Sequence, residues 1–247
     1  MTHYQLAVVS LVGSFFDVLG ALYLAYDILG GKHGPLRALT RGVTYGLIFG
    51  VPYGVVLGLP FGIAAGLAHG ITLAFELTRA SKQLGPYPLR YEFLFSAIRG
   101  IGFGVGATYL HGREFGIYFG VLSTVGQCAA YRIGIRPSLD YGPQRAPRIS
   151  PRQIGAAAMR TVGYLAAGYI SAVAAQHRMH ALMLGVETGL SIGIVTAVAN
   201  ALMPFIEWAA ETIPDRRLGV LGVVLILIGF TLQSVQYWLA LLDIPVR

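Results

Sequence analysis

The stretch Gly42-Val-Thr-Tyr-Gly46-Leu-Ile-Phe-Gly50-Val-Pro-Tyr-Gly54-Val-Val-Leu-Gly58-Leu-Pro-Phe-Gly62-Ile-Ala-Ala-Gly66-Leu-Ala-His-Gly70 places a glycine at every fourth position without a break. In a helix in water, each of these would cost about 1 kcal/mol against alanine. Between helices in lipid the hydrophobic drive is weak, and small residues four apart let two backbones approach closely. This glycine zipper therefore predicts tightly packed membrane helices.

Composition points the same way. The chain is 55% hydrophobic and 12% charged, about half the charged share of a soluble domain. Its apolar runs are too long and too frequent for a soluble core and predict an all-α polytopic integral membrane protein. The N-terminal segment lacks a basic flank and carries Asp17 and Asp27, so it reads as a span and not as a cleaved leader. The single Cys128 rules out an intrachain disulfide and a cysteine-based metal site, and packs as a small hydrophobe.

The apolar segments cover roughly 5–29, 41–57, 60–78, 93–110, 115–131, 154–175, 180–206 and 218–242. They predict about eight transmembrane helices in a single transmembrane domain over 1–247. Pro52 and Pro60 leave two options for 41–78, either two helices or one broken helix. Charge tests the count. Lys32, Arg37, Arg41, Arg79, Lys82, Arg90, Arg99, Arg132, Arg136, Arg145, Arg148, Arg152, Arg160, Arg216 and Arg217 fall on one side of such a layout, against Arg113, Arg178 and Arg247 on the other. The positive-inside rule makes the rich side cytoplasmic and puts both termini outside, as in a bacterial-type inner membrane protein.

Three stretches resemble one another. Each opens on an arginine: Arg41-Gly-Val-Thr-Tyr, Arg99-Gly-Ile-Gly-Phe and Arg160-Thr-Val-Gly-Tyr. Each returns through an aligned glycine, Gly66, Gly120 or Gly185, with His69, Ser123 or Thr188 three positions later. The expected architecture is three related glycine-rich hairpins, 40–80, 93–132 and 153–206, flanked by one helix at each end, 1–30 and 218–242. Between the second and third hairpins, 133–152 is a basic loop with four prolines that forbid a regular helix. Its Arg136, Arg145, Arg148 and Arg152 would favour anionic headgroups at the inner leaflet, at about 1 kcal/mol per basic residue near the surface.

No enzyme motif stands in the chain, and no cofactor, metal or nucleic-acid partner is expected from it. His177 and His180 flank Arg178, a cation that disfavours a metal there. Glu76 and Arg79, three apart, read as a local ion pair. What remains is a set of polar residues at membrane depth: Asp17, His69, Gln127, Glu187 and Asn200. A carboxylate at the bilayer centre costs at least about 2.5 kcal/mol, so it must be paired, protonated or wet. Asp17, Glu187 and His69 can hold an ion or solute, while Gln127 and Asn200 also serve as glue between helices.

The sequence thus supports a transporter or channel for a small solute or ion, proton-coupled through Glu187 with His69 as partner. The alternatives are a lipid-binding membrane scaffold without transport and, weakest, a membrane-embedded enzyme. Membrane lipids are the expected partners, and a homo-oligomer is compatible with the sequence.

Overall fold

The computed structural model describes residues 3–29, 31, 36–81, 88–132, 151–175, 181–212 and 215–242. The described residues form eight α-helices: α1 (His3–Ile28), α2 (Arg37–Leu57), α3 (Leu59–Ser81), α4 (Leu89–His111), α5 (Arg113–Arg132), α6 (Pro151–Ala174), α7 (Ala181–Thr212) and α8 (Asp215–Leu241). Each coincides with one of the eight apolar segments.

Five helices contain stretches long and apolar enough to cross a bilayer: Gln5–Ile28, Leu59–Glu76, Arg90–His111, Ala181–Met203 and Arg216–Leu241. The other three are long enough, but glycine and polar residues dilute their apolar content. α5, for example, carries Ser123, Thr124 and Gln127.

Pro52 lies inside α2 without ending it. The break falls instead at Gly58, whose φ of +91° is a conformation that L side chains rarely adopt. Residues 41–78 are therefore two helices joined by one glycine. Gly112, with φ +89°, makes the same one-residue turn between α4 and α5.

The chain divides into two compact units. In the first, residues 1–40 and 211–247, α1 packs along α8. A methyl group on Gly13 would stand 2.7 Å from the Gly229 carbonyl oxygen, and one on Gly20 would stand 2.5 Å from that of Gly222. These contacts run in opposite chain directions and recur every seven residues, so the helices are antiparallel with a small-residue seam.

The second unit, residues 41–210, holds α3, α4, α5 and α6 and nearly all of α2 and α7. Here the four-residue glycine spacing does what its chemistry requires. α2 and α3 lie so close that a Gly62 methyl would come 2.5 Å from the Gly50 oxygen and 2.6 Å from the Gly54 Cα. At Gly66 the matching distances, to the Gly46 oxygen and the Gly50 Cα, are 2.7 and 2.8 Å. Gly120 of α5 meets Gly100 and Gly104 of α4, and Gly185 of α7 meets the Tyr169 backbone of α6.

The centre of this unit is aromatic. Phe103 of α4, fully buried, has ring neighbours on four other helices: Tyr53 of α2, Phe61 and His69 of α3, Phe119 of α5 and Tyr164 of α6, at centroid distances of 5.3–6.5 Å. The Tyr53 hydroxyl and Thr196 Oγ1 of α7 form a 2.7 Å hydrogen bond, which ties the first helix of the unit to the last. Large apolar side chains cover the outside: Val55 is 82% exposed and Met183 72%.

Candidate functional site

All six helices of the second unit contribute to one cavity of about 250 Å³. It lies in the half of the bundle away from the Gly58 and Gly112 turns. Phe49, Leu73, Leu122 and Met159 give it apolar walls, and His69, Arg99, Ser123, Gln127, Tyr131, Arg160, Tyr164, Thr196 and Asn200 give it polar ones. The charged residues of the lining are two arginines, with no carboxylate.

Arg99 explains how one such charge is held. Its Nη2 lies 2.6 Å from Glu76 Oε2 of α3, and its Nε donates to Thr72 Oγ1 at 2.8 Å. Its Nη1 donates to the Tyr131 hydroxyl of α5, which in turn donates to Glu76 Oε1 at 2.8 Å. Thr72 completes the set by donating to the Ala68 carbonyl at 2.9 Å. Every member of this three-helix network has a partner for the atom it offers, the condition under which a buried ion pair is tolerated.

His69 stacks on Phe49 with ring centroids 4.2 Å apart. Its Nδ1 lies 2.8 Å from the Ala65 carbonyl oxygen, which can only accept, so Nδ1 carries the proton. In a neutral imidazole this tautomer leaves Nε2 as an acceptor. Asn200 Nδ2 donates to the Thr196 carbonyl at 2.8 Å. Two buried atoms of the lining residues, Ser123 Oγ and Gln127 Nε2, have no hydrogen-bond partner among the described residues.

The structure thus brings His69, Gln127 and Asn200 to one cavity and leaves two other candidates elsewhere. Glu187 is exposed on α7, while its neighbour Thr188 is buried and bonded to His111 Nε2 at 2.8 Å. One residue turns a helix by about 100°, so Glu187 looks away from the interior that holds His69, and the expected pair is not formed. Asp17 belongs to the first unit, where its Oδ2 accepts from Gln233 Nε2 of α8 and its Oδ1 is buried without a hydrogen-bond partner among the described residues. Arg136, Arg145 and Arg148 lie outside the described residues, as does the side chain of Arg152.

Glu76 is engaged across helices by Arg99, while the side chain of Arg79, its expected local partner, lies outside the described residues. One sequence reading is corrected. Arg99 and Arg160 are not edge residues between spans: they stand well inside α4 and α6 and line the cavity. The signal was present in the sequence, because an arginine ten residues into a span is too deep to be a topology marker. Among the described residues, no group of three or more His, Cys, Asp or Glu is placed to hold a metal.

No family model matches this chain, and neither a curated protein nor a solved structure matches it.

Proposed function

We propose that this is a multi-pass membrane protein whose six-helix unit carries a small solute through the arginine-lined cavity. The observation that carries the reading is the cavity itself: six helices converge on it, and it combines apolar walls with unsatisfied polar atoms. A bundle built only as a scaffold gains nothing from leaving buried polar atoms unpaired, each costing about 1–3 kcal/mol. The aromatic cluster around Phe103 fills the bundle on one side of the cavity, which favours a carrier over an open pore. Proton coupling through Glu187 is not retained, since that side chain is exposed.

Wetness of the cavity separates carrier from scaffold. In a Cys128→Ser background, Ser123→Cys should react with a membrane-impermeant thiosulfonate in proteoliposomes, and adding Gly163→Leu should slow that reaction at least tenfold. A Ser123→Cys thiol that stays unreactive on both sides would mean a dry bundle and end the carrier reading.

In this proposal all eight helices span the bilayer, with the basic loops cytoplasmic and both termini outside. The exposed apolar side chains of every helix pair support it. Introduced cysteines at 141–148 should be protected from impermeant reagent in intact cells, while one near residue 3 should label. Equal labelling at both places would refute the topology. The three hairpins α2–α3, α4–α5 and α6–α7 are read as related units, supported by the close contacts at Gly66, Gly120 and Gly185.

A further inference from the structure

We infer that the cavity's ligand is a small neutral molecule with an apolar body and a carbonyl-type acceptor head, taken from the bilayer between α5 and α6. This deepens the carrier reading and rests on the cavity being a ligand site. The mouth of the cavity decides the route. Of the residues that line it, those on α2, α3, α4 and α7 are buried or half-buried. The exposed ones are Gly126 and Ala129 of α5 and Met159 and Gly163 of α6. Neither glycine has anything within 4 Å of where a Cβ would stand, so helix packing does not fill the gap. The four are apolar, and Val125, 60% exposed, and Val162, 64% exposed, flank them. At about 1.5 Å per residue, Gly126 and Gly163 stand about 9 and 18 Å in from Arg132 and Pro151, the ends of α5 and α6 on that side. In the proposed topology this mouth faces hydrocarbon, so what enters must dissolve there.

The lining offers no free charge to an ion. Arg99 is opposed by Glu76 and held by Thr72 and Tyr131. Arg160 is half-buried and already has an interaction of its own. Among the described residues no carboxylate lines the cavity, so a cation would meet no counter-charge either. An ion of either sign would give up its water without a free partner, whereas a neutral molecule loses little.

Two polar groups remain for the head. Ser123, 3% exposed, and Gln127 both line the cavity, and Ser123 Oγ and Gln127 Nε2 are buried with no hydrogen-bond partner among the described residues. An amide N–H only donates and a hydroxyl can donate, so the ligand they suit brings an acceptor oxygen. A carbonyl supplies one without charge. The two residues stand one helical turn apart on one face of α5, where their donors can converge on a single oxygen. Phe49, Leu73 and Leu122 give the apolar body its walls. The cavity's 250 Å³ falls below the roughly 300–1,000 Å³ of drug-sized sites, which suits a short chain and not a whole lipid.

The test is thermal melting of the purified full-length protein in a neutral detergent, with three probes of equal chain length: hexanamide, hexanoate and hexylammonium. Hexanamide should raise the melting midpoint by roughly 3 °C or more at about tenfold excess over its dissociation constant, and the two ions should not. Gly163→Leu, which fills the mouth, should abolish the shift. Gln127→Leu should abolish it too, while leaving the unliganded melting point no lower, because the buried N–H it removes has no partner to lose. If Gly163→Leu does not fold, Gln127→Leu decides alone. An equal or larger response to either ion, a shift that survives the variants, a lower unliganded melting point in Gln127→Leu, or no response to hexanamide would overturn the proposal. Fluorescence reads the route. In a Trp208→Phe, Trp238→Phe background, Met159→Trp in nanodiscs should be quenched by phosphatidylcholine spin-labelled on its acyl chain and not by iodide in the water. Quenching by iodide alone would put the mouth in water and overturn the proposal as well. Hexanamide binding with a Ser123→Cys thiol unreactive to the impermeant reagent would retire the carrier reading and keep this one. A reactive cavity with no hexanamide response would do the reverse.

Discussion

Glu76→Gln should destabilise the six-helix unit by about 3–5 kcal/mol, the usual cost of leaving one member of a buried ion pair alone. Arg99 would keep its charge inside the bundle, with only the Thr72 and Tyr131 hydroxyls around it. The two side chains are 8% and 16% exposed, so solvent screens little of that charge. Arg99→Leu should cost a similar amount for the complementary reason, since Glu76 is then the orphan. Replacing both residues with leucine should recover much of the loss, because the desolvation penalty disappears with the charges. The measurement is unfolding in mixed micelles followed by circular dichroism. A Glu76→Gln variant within about 0.5 kcal/mol of the parent would show that the pair is hydrated.

The second large effect is a contrast between glycines. At Gly62 even a methyl group would stand 2.5 and 2.6 Å from backbone atoms of α2, which cannot swing aside as a side chain can. Gly62→Ala should therefore cost about 1–3 kcal/mol by overpacking, outweighing the roughly 1 kcal/mol that alanine gains in a helix. Gly66→Leu, at the same interface, should be worse, because the branched side chain has nowhere to go. Gly126→Ala should have the opposite sign, since open space surrounds the new methyl and only the helix gain remains. A stabilising Gly62→Ala in the same melting assay would mean that α2 and α3 are not in contact in solution.

How much of this could be read in advance depends on the range of each interaction. The eight helices were legible because each rests on a local run of apolar residues, and the α2–α3 contact was legible because one glycine period marks both partners. The α1–α8 seam was not, since Gly13 and Gly229 are separated by most of the chain and each seam residue looks unremarkable alone. The facing of Glu187 was hidden for another reason. α7 is apolar nearly all round, so no polar stripe tells which side turns inward, and a one-residue difference between Glu187 and Thr188 decides the outcome. The cavity combines both difficulties. His69, Gln127 and Asn200 were visible as polar residues at depth, but Arg99 and Arg160 were absorbed into the count of edge charges. Arg99, which engages Glu76, lies on the next helix, where no short-range rule reaches.

The one-glycine turns at Gly58 and Gly112 bear on how such a chain would enter a bilayer. An ordinary re-entrant pair of spans must drag a polar loop through hydrocarbon, and each buried peptide group in that loop has to shed its water. Here the tip of each hairpin is a single residue, and the Gly62 and Gly116 amides beyond it already bond back to the Gly58 and Gly112 carbonyls at 3.1 Å. At the Gly58 tip almost nothing hydrophilic remains to be translocated, whereas the Gly112 tip carries the exposed Arg113 and Glu114. In the proposed topology the α2–α3 pair is therefore suited to cross the membrane as a preassembled wedge, folded before it is threaded, with the basic connecting segments left behind on the side of synthesis.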